Sequence, residues 1–281
     1  MSDDALARTT VVLPVWDEYV DASLTTALGS LAEQDIAAPI VLVDNASDVE
    51  VPPRAGVVVV RSSQRLTLGG ARNLGLAQVT TPYVIVWDAD DVMLPGTLRF
   101  LEHAIADNRA LAAYGSAIIE HPSGQRHRWP RRWIARLVRA PRLFATLDCV
   151  WSMYPTTGAT IMRTDLVRDA GGYSDTESAE DWGLGVSLAF RGRIGWSERP
   201  GRIYSQHAHS VWARHLTVAH QLRHARAVRS RIRGDPGLPA WAKSALPLIG
   251  LGQYLAIGGH VAVSAARRLR KASSVGEKSS S

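Results

Sequence analysis

The chain has 281 residues, enough for one large α/β domain with an appendage or for two ordinary domains. With 46% hydrophobic and 21% charged residues it lies close to the globular average, which excludes a disordered or fibrous protein. A single cysteine, Cys149, excludes a disulfide framework and a cysteine-rich metal site. The start, Met1 to Arg8 (MSDDALAR), has neither the basic head nor the apolar core of a secretory signal, so a cytoplasmic location is expected.

The net charge of +6 is unevenly placed. Residues 1–212 hold 20 basic and 24 acidic side chains, net −4, whereas residues 213–281 hold 12 and 2, net +10. The basic quarter suggests a tail that meets an anionic surface.

The first half alternates between strand and helix periods. Thr9 to Val15 (TTVVLPV) is a continuous apolar run of the kind that forms a buried parallel strand. Val20, Leu24, Leu28 and Leu31 then fall at helical spacing, predicting a helix that ends near Gln34. Ile40–Val43 and Val57–Val60 are further strands, and Gly69-Gly70 opens a short helix through Ala77. Tyr83–Trp87 is a fourth strand, running into Asp88-Ala89-Asp90-Asp91, and Pro95 marks the start of a helix carrying Leu98, Leu101 and Ile105. This order predicts an open, mainly parallel sheet covered by helices on both faces.

The middle is less regular. Ala112–Ile119 and Ala159–Met162 read as strands, with a basic aromatic loop over His121–Trp133 between them. A short helix around Leu166 and Val167 ends at Gly171-Gly172. Asp181–Phe190 is a helix, and two strands are expected around Ile194 and Ile203. The last sheet signal falls near Trp212, giving a catalytic domain over 1–212 and a basic helical extension over 213–281. In that extension Val218, Leu222, Ala225 and Ile232 form one stripe. The uncharged interval between Lys243 and Arg267 is interrupted by Pro247, Gln253, His260 and glycines, favouring helices packed on the domain or lying at a membrane interface over a spanning segment.

Ligands of open α/β sheets bind at the carboxyl ends of the strands, and here those ends are acidic: Asp44 on the second strand, Asp88, Asp90 and Asp91 on the fourth. A single aspartate there is a turn or cap residue, but three carboxylates in four positions repel one another. A hard divalent cation, Mg²⁺ or Mn²⁺, relieves that repulsion and usually carries a phosphorylated substrate.

Seven segments in order resemble glycosyltransferase family 2: Pro14-Val15-Trp16-Asp17-Glu18, Val43 to Asp48, Gly70 to Gly75, Asp88 to Gly96, Gly158 to Arg163, Gly171-Gly172-Tyr173 and Glu180-Asp181-Trp182. The resemblance covers about residues 9–212 and implies a GT-A fold with a C-terminal helical extension, a nucleotide-diphosphate-sugar donor, Mn²⁺ or Mg²⁺, and inversion at the anomeric carbon. It implies that Asp44 contacts the nucleobase beside Pro14 and Trp16, and that Gly70 and Arg72 lie near the nucleotide. Asp88-Ala89-Asp90 matches the DxD motif, with Asp88 near the ribose and Asp90 on the metal, and His207 fits the late histidine that approaches the diphosphate or metal. Asp181 is the implied base and Glu180 its helper. Ser178-Ala179-Glu180-Asp181 also reads as a capping box, with Ser178 as N-cap and Asp181 reaching back. Asn45 and Asp17 depart from the family's usual aspartate and asparagine.

The expected acceptor is a saccharide, a lipid-linked saccharide or a small molecule. A nucleotidyltransferase on a related fold is the competing enzyme, but Pro14-Val15-Trp16-Asp17 replaces its early basic Gly-rich loop. A basic nucleic-acid-binding protein is the competing non-enzyme, and the acidic balance through residue 212 argues against it.

Overall fold

The computed structural model describes residues 8–260, apart from positions 21, 50, 53, 108, 131, 177–178 and 206–216. Nine strands form one sheet: β1 (Thr9–Val15), β2 (Ile40–Asp44), β3 (Val57–Arg61), β4 (Tyr83–Val86), β5 (Val92–Met93), β6 (Ala112–Glu120), β7 (Arg126–Trp129), β8 (Thr160–Arg163) and β9 (Ile194–Ser205). Their order is β3-β2-β1-β4-β8-β6-β9-β5, with β7 paired to β6. The β3-β2-β1-β4 half is parallel throughout, β4-β8-β6 runs antiparallel, and β9 lies parallel to β6.

Period-two alternation explains why β1 has no polar face. Val11, Leu13 and Val15 pack under α1 (Ala22–Ala32) and α3 (Thr97–Asp107) on one side of the sheet. Val12 packs on the other side with α2 (Leu68–Ala77), α5 (Pro141–Asp148) and α7 (Glu180–Arg191). Two short helices, α4 (Arg132–Arg136) and α6 (Thr164–Asp169), complete this part of the chain.

Pro14 tolerates a central strand for a reason visible in the ladder. Val12 O accepts the Trp87 N–H on the β4 side, and Val15 O accepts the Asn45 N–H on the β2 side. Pro14 shares Val12's side, where β4 has already ended at Val86, so its missing donor costs no ladder bond.

The extension is helical: α8 (Val218–Gly234), α9 (Ala240–Ser244) and α10 over residues 246–260. A third apolar cluster joins Val228 and Ile232 of α8 and Leu246 and Ile249 to Val186 of α7 and to Cys149. Arg191 and Asp235 form a two-pronged ion pair at 2.7 Å across the same junction, with Asp235 fully buried. Arg231 reaches the carbonyls of Ala170 and Gly172 and the Ser187 hydroxyl.

Several expectations change. Helix α3 begins at Thr97, because Gly96 takes a left-handed turn (φ 72°) after Pro95. The loop over 121–133 contains β7, which folds back on β6 through a turn in which the His121 N–H donates to Gln125 O. The two strands around Ile194 and Ile203 are one strand, β9, which slips register where Ser116 faces Pro200. In α8 the buried residues are His220, Ala225, Val228 and Ile232, while Val218 is exposed.

Candidate active site

Helix α2 reaches the carboxyl edge of the sheet by close approach. A Cβ on Gly75 would lie 2.3 Å from Val12 Cγ1, and one on Gly69 only 2.0 Å from Ser174 O, so these two positions admit nothing larger than glycine. Thr67 caps the helix, its Oγ1 accepting the Gly70 N–H at 3.0 Å. The Gly70 amide at the helix start is thus bonded to Thr67.

Arg72 projects from the first turn of α2 and is buried. Its guanidinium donates to Asp88 Oδ1 at 3.0 Å and to Glu180 Oε1 at 2.5 Å, and lies 5.3 Å from the centre of the Tyr173 ring. Burial alone would weaken its hold on the proton. The charges of Glu180 and Asp88 outweigh that effect and keep the guanidinium protonated. One side chain thus ties the end of β4 to the start of α7, which are far apart in sequence.

Asp88 is shared with a second cation. Arg202 on β9 lies 3.7 Å from Asp88 Oδ2 and donates to Asp91 Oδ2 at 2.6 Å. Asp91 is fully buried, with Oδ1 unpartnered among the described residues. Burial pushes its carboxyl up to about 8, with Arg202 opposing and the charges of Asp88 and Asp90 reinforcing the rise. The repulsion among the three carboxylates is thus relieved in large part by arginines of the chain itself. Sequence reading missed Arg202, whose only signal is an arginine inside an otherwise strand-like Arg202-Ile203-Tyr204.

Asp88 and Asp90, both half-buried, follow the end of β4. No group of three or more metal-ligating side chains occurs among the described residues. One or two carboxylates completed by substrate phosphates and water are nevertheless the usual Mg²⁺ donor set. The pair fits such an ion. His207 lies outside the described residues.

Asp44 belongs to a separate rim. Its carboxylate pairs with Arg61 and accepts the Ser47 N–H at 2.9 Å. Asn45 clamps the backbone of Leu66 from both sides, donating to its carbonyl at 3.0 Å and accepting its N–H at 2.8 Å. Asp17 accepts N–H donors from Asp48 and Val49 and pairs with Arg65 at 2.8 Å. Those contacts overcome the opposing effect of desolvation and hold its carboxyl below the usual range. The two departures from the family pattern are therefore loop fasteners. Trp16 lies beside them, edge-on to Tyr19 with ring centres 5.0 Å apart.

Helix α7 starts one residue later than a capping box requires. Its N-cap is Ala179 in a left-handed conformation (φ 57°), with no side-chain cap bond; Ser178 lies outside the described residues. Glu180 is buried, and burial with the Asp181 charge raises its carboxyl against the pull of Arg72. Asp181 Oδ1 accepts the Trp182 N–H at 2.7 Å, its carbonyl accepts the Thr156 hydroxyl at 2.9 Å, and the residue lines a cavity.

An open α/β sheet with a carboxylate and arginine cluster at its carboxyl edge defines a GT-A-type fold. The model of the family described as glycosyl transferase family 2 matches residues 10–170. The chain belongs to that family, and it is a glycosyltransferase. The crystal structure of S. aureus TarS 1-349 in complex with UDP-GlcNAc is similar in fold, with TM-score 0.63 and 16% identity over 89% of this chain and 73% of that one. S. aureus TarS in a longer form gives TM-score 0.60 at 16% identity, over 88% of this chain and 43% of that one. A search of curated proteins finds no match.

Proposed function

We propose that the chain transfers a sugar from a nucleotide-diphosphate-sugar donor to an acceptor hydroxyl with inversion, in a single displacement. The observation that carries this reading is the Arg72 bridge from Asp88 to Glu180, which ties the end of β4 to the start of α7, where Asp181 follows Glu180. The UDP-GlcNAc complex of the similar TarS structure supports a nucleotide-sugar donor. Asp44, Pro14 and Trp16 would border the base, and Gly70, Arg72 and Asp88 the rest of the donor. Asp181 accepts the acceptor hydroxyl proton while that oxygen bonds to C1, and the C1–oxygen bond to the diphosphate breaks. Glu180, held by Arg72, fixes the start of α7 and so aims Asp181. Mn²⁺ or Mg²⁺ held by Asp90 with Asp88, and with His207 as a further ligand, would supply positive charge for the leaving diphosphate.

A panel of nucleotide-sugars, scored by thermal shift with and without Mn²⁺, tests the reading, because a true donor raises the melting temperature by mass action. One donor should stabilise the protein only when Mn²⁺ is present, and Asp90→Asn should abolish that dependence. No metal-dependent stabilisation by any donor would overturn it.

We further propose peripheral attachment to an anionic membrane face. Leu248, Leu251 and Leu255 form an exposed stripe on α10, at 73%, 56% and 69% exposure, on a strongly basic extension. No helix among the described residues is long and apolar enough to cross a membrane.

A further inference from the structure

We propose that the acceptor is bound as an uncharged sugar unit in the cavity between α7 and the extension; this rests on the glycosyl-transfer reading above. The cavity measures about 380 Å³ and has Asp181 in its wall. That volume lies near the small end of ligand pockets, about 300–1,000 Å³, and suits one sugar ring or a short saccharide end.

Its walls have the chemistry that a pyranose needs. Trp129, Trp151 and Trp182 line it, and Trp151 is 45% exposed. A sugar ring packs its C–H face on an aromatic face and leaves hydroxyls at its edge that need hydrogen-bond partners. Gln221 on α8 lines the same cavity, with Oε1 buried and without a hydrogen-bond partner among the described residues. Buried acceptors are seldom left so, and a ligand hydroxyl supplies the missing donor. Gln253 has a different task. Its Oε1 accepts from Arg229 and its Nε2 donates to Cys149 O at 2.8 Å, which fastens α10 to the end of α5.

Charge narrows the ligand further. Among the described residues lining the cavity there is no arginine or lysine, and Asp181 is the one carboxylate. A phosphate-bearing acceptor group would meet no arginine or lysine there, only the imidazoles of His224 and His260. A neutral sugar meets aromatic faces, an unpaired amide oxygen and a base.

Saturation-transfer NMR on the full chain tests this, using methyl α- and β-pyranosides of glucose, galactose and mannose, with glycerol 3-phosphate as competitor. At least one glycoside should receive saturation, and Gln221→Leu should weaken its binding tenfold or more. Trp151→Ala should do the same. Because Trp151 is exposed, that variant decides the matter if Gln221→Leu fails to fold. Binding of no glycoside, equal binding by both folded variants, or displacement by glycerol 3-phosphate would each overturn the proposal. Donor hydrolysis with Mn²⁺ by the unaltered chain is followed in parallel. Hydrolysis without glycoside binding removes only this pocket, whereas glycoside binding without donor binding or hydrolysis removes the acceptor assignment together with the glycosyl-transfer reading.

Discussion

Arg72 is buried with two carboxylates on its guanidinium, and neither Asp88 nor Glu180 is fully solvated. Removing one partner of such a cluster leaves the others as uncompensated buried charge, which typically costs about 3–5 kcal/mol. Arg72→Met should therefore lower stability by about that amount in urea unfolding. Asp181→Asn is a different experiment: it retains the backbone and the helix start, and should lose transfer about 10²-fold or more in single-turnover assays while the melting temperature holds. Near-normal turnover in that variant sinks the base. Asp148 is fully buried, with Oδ1 accepting the Met153 N–H and Oδ2 unpartnered among the described residues. Burial raises its carboxyl well above the ordinary value of 3.8, with the Met153 N–H opposing and the Asp181 charge adding to the rise. The folded state therefore holds a proton that the unfolded chain releases, so Asp148's contribution is intact in acid and is lost as pH rises. Asp148→Asn mimics the protonated acid. Its melting temperature should match the wild type near pH 4 and exceed it increasingly towards pH 8.

At the scale of elements, close packing decides where α2 sits. Gly75→Ala pushes a methyl against Val12 and Val43, and overpacking of this kind costs about 1–3 kcal/mol, measurable as a shift in urea midpoint at unchanged slope. Strands β1, β2 and β4 were legible because burial on both faces demands unbroken apolar runs, whereas β3 was legible from its Val57–Val60 run although Val58 and Val59 are exposed at the sheet edge. Strand β7 was not, because Arg126, His127 and Arg128 are exposed and carry no alternation. Strand β9 was split by Glu198-Arg199-Pro200, a breaker signal that tertiary pairing accommodates as a register slip against β6.

Across the whole molecule, the described part of the extension, residues 217–260, is neither a free tail nor a fully buried cap. Leu246 and Ile249 pack inward while Leu248, Leu251 and Leu255 face solvent, so the apolar interval divides into two faces. Replacing those three exposed leucines by serine should leave the melting temperature nearly unchanged and reduce co-sedimentation with anionic vesicles. A full-length protein that does not bind anionic vesicles at low salt would remove the membrane reading. Asp235→Ala removes the partner of Arg191 at the junction and should loosen α8 from α7, seen as faster amide exchange confined to residues 218–234.

The sequence by itself determined the open sheet, its helix-covered faces and the acidic strand ends, because each is a local pattern: an apolar run, a helical period, an aspartate where a strand stops. Ordered motifs also made the family resemblance readable. Tertiary structure alone decided the partnerships among those motifs. Arg72 and Arg202 reach Asp88 from helix α2 and strand β9. Gln221 joins Trp151 and Asp181 around one cavity only because α8 packs on α7. Charge pairing and cavity walls depend on which distant segments meet in space, and that is settled by packing of the whole core, which no local period encodes.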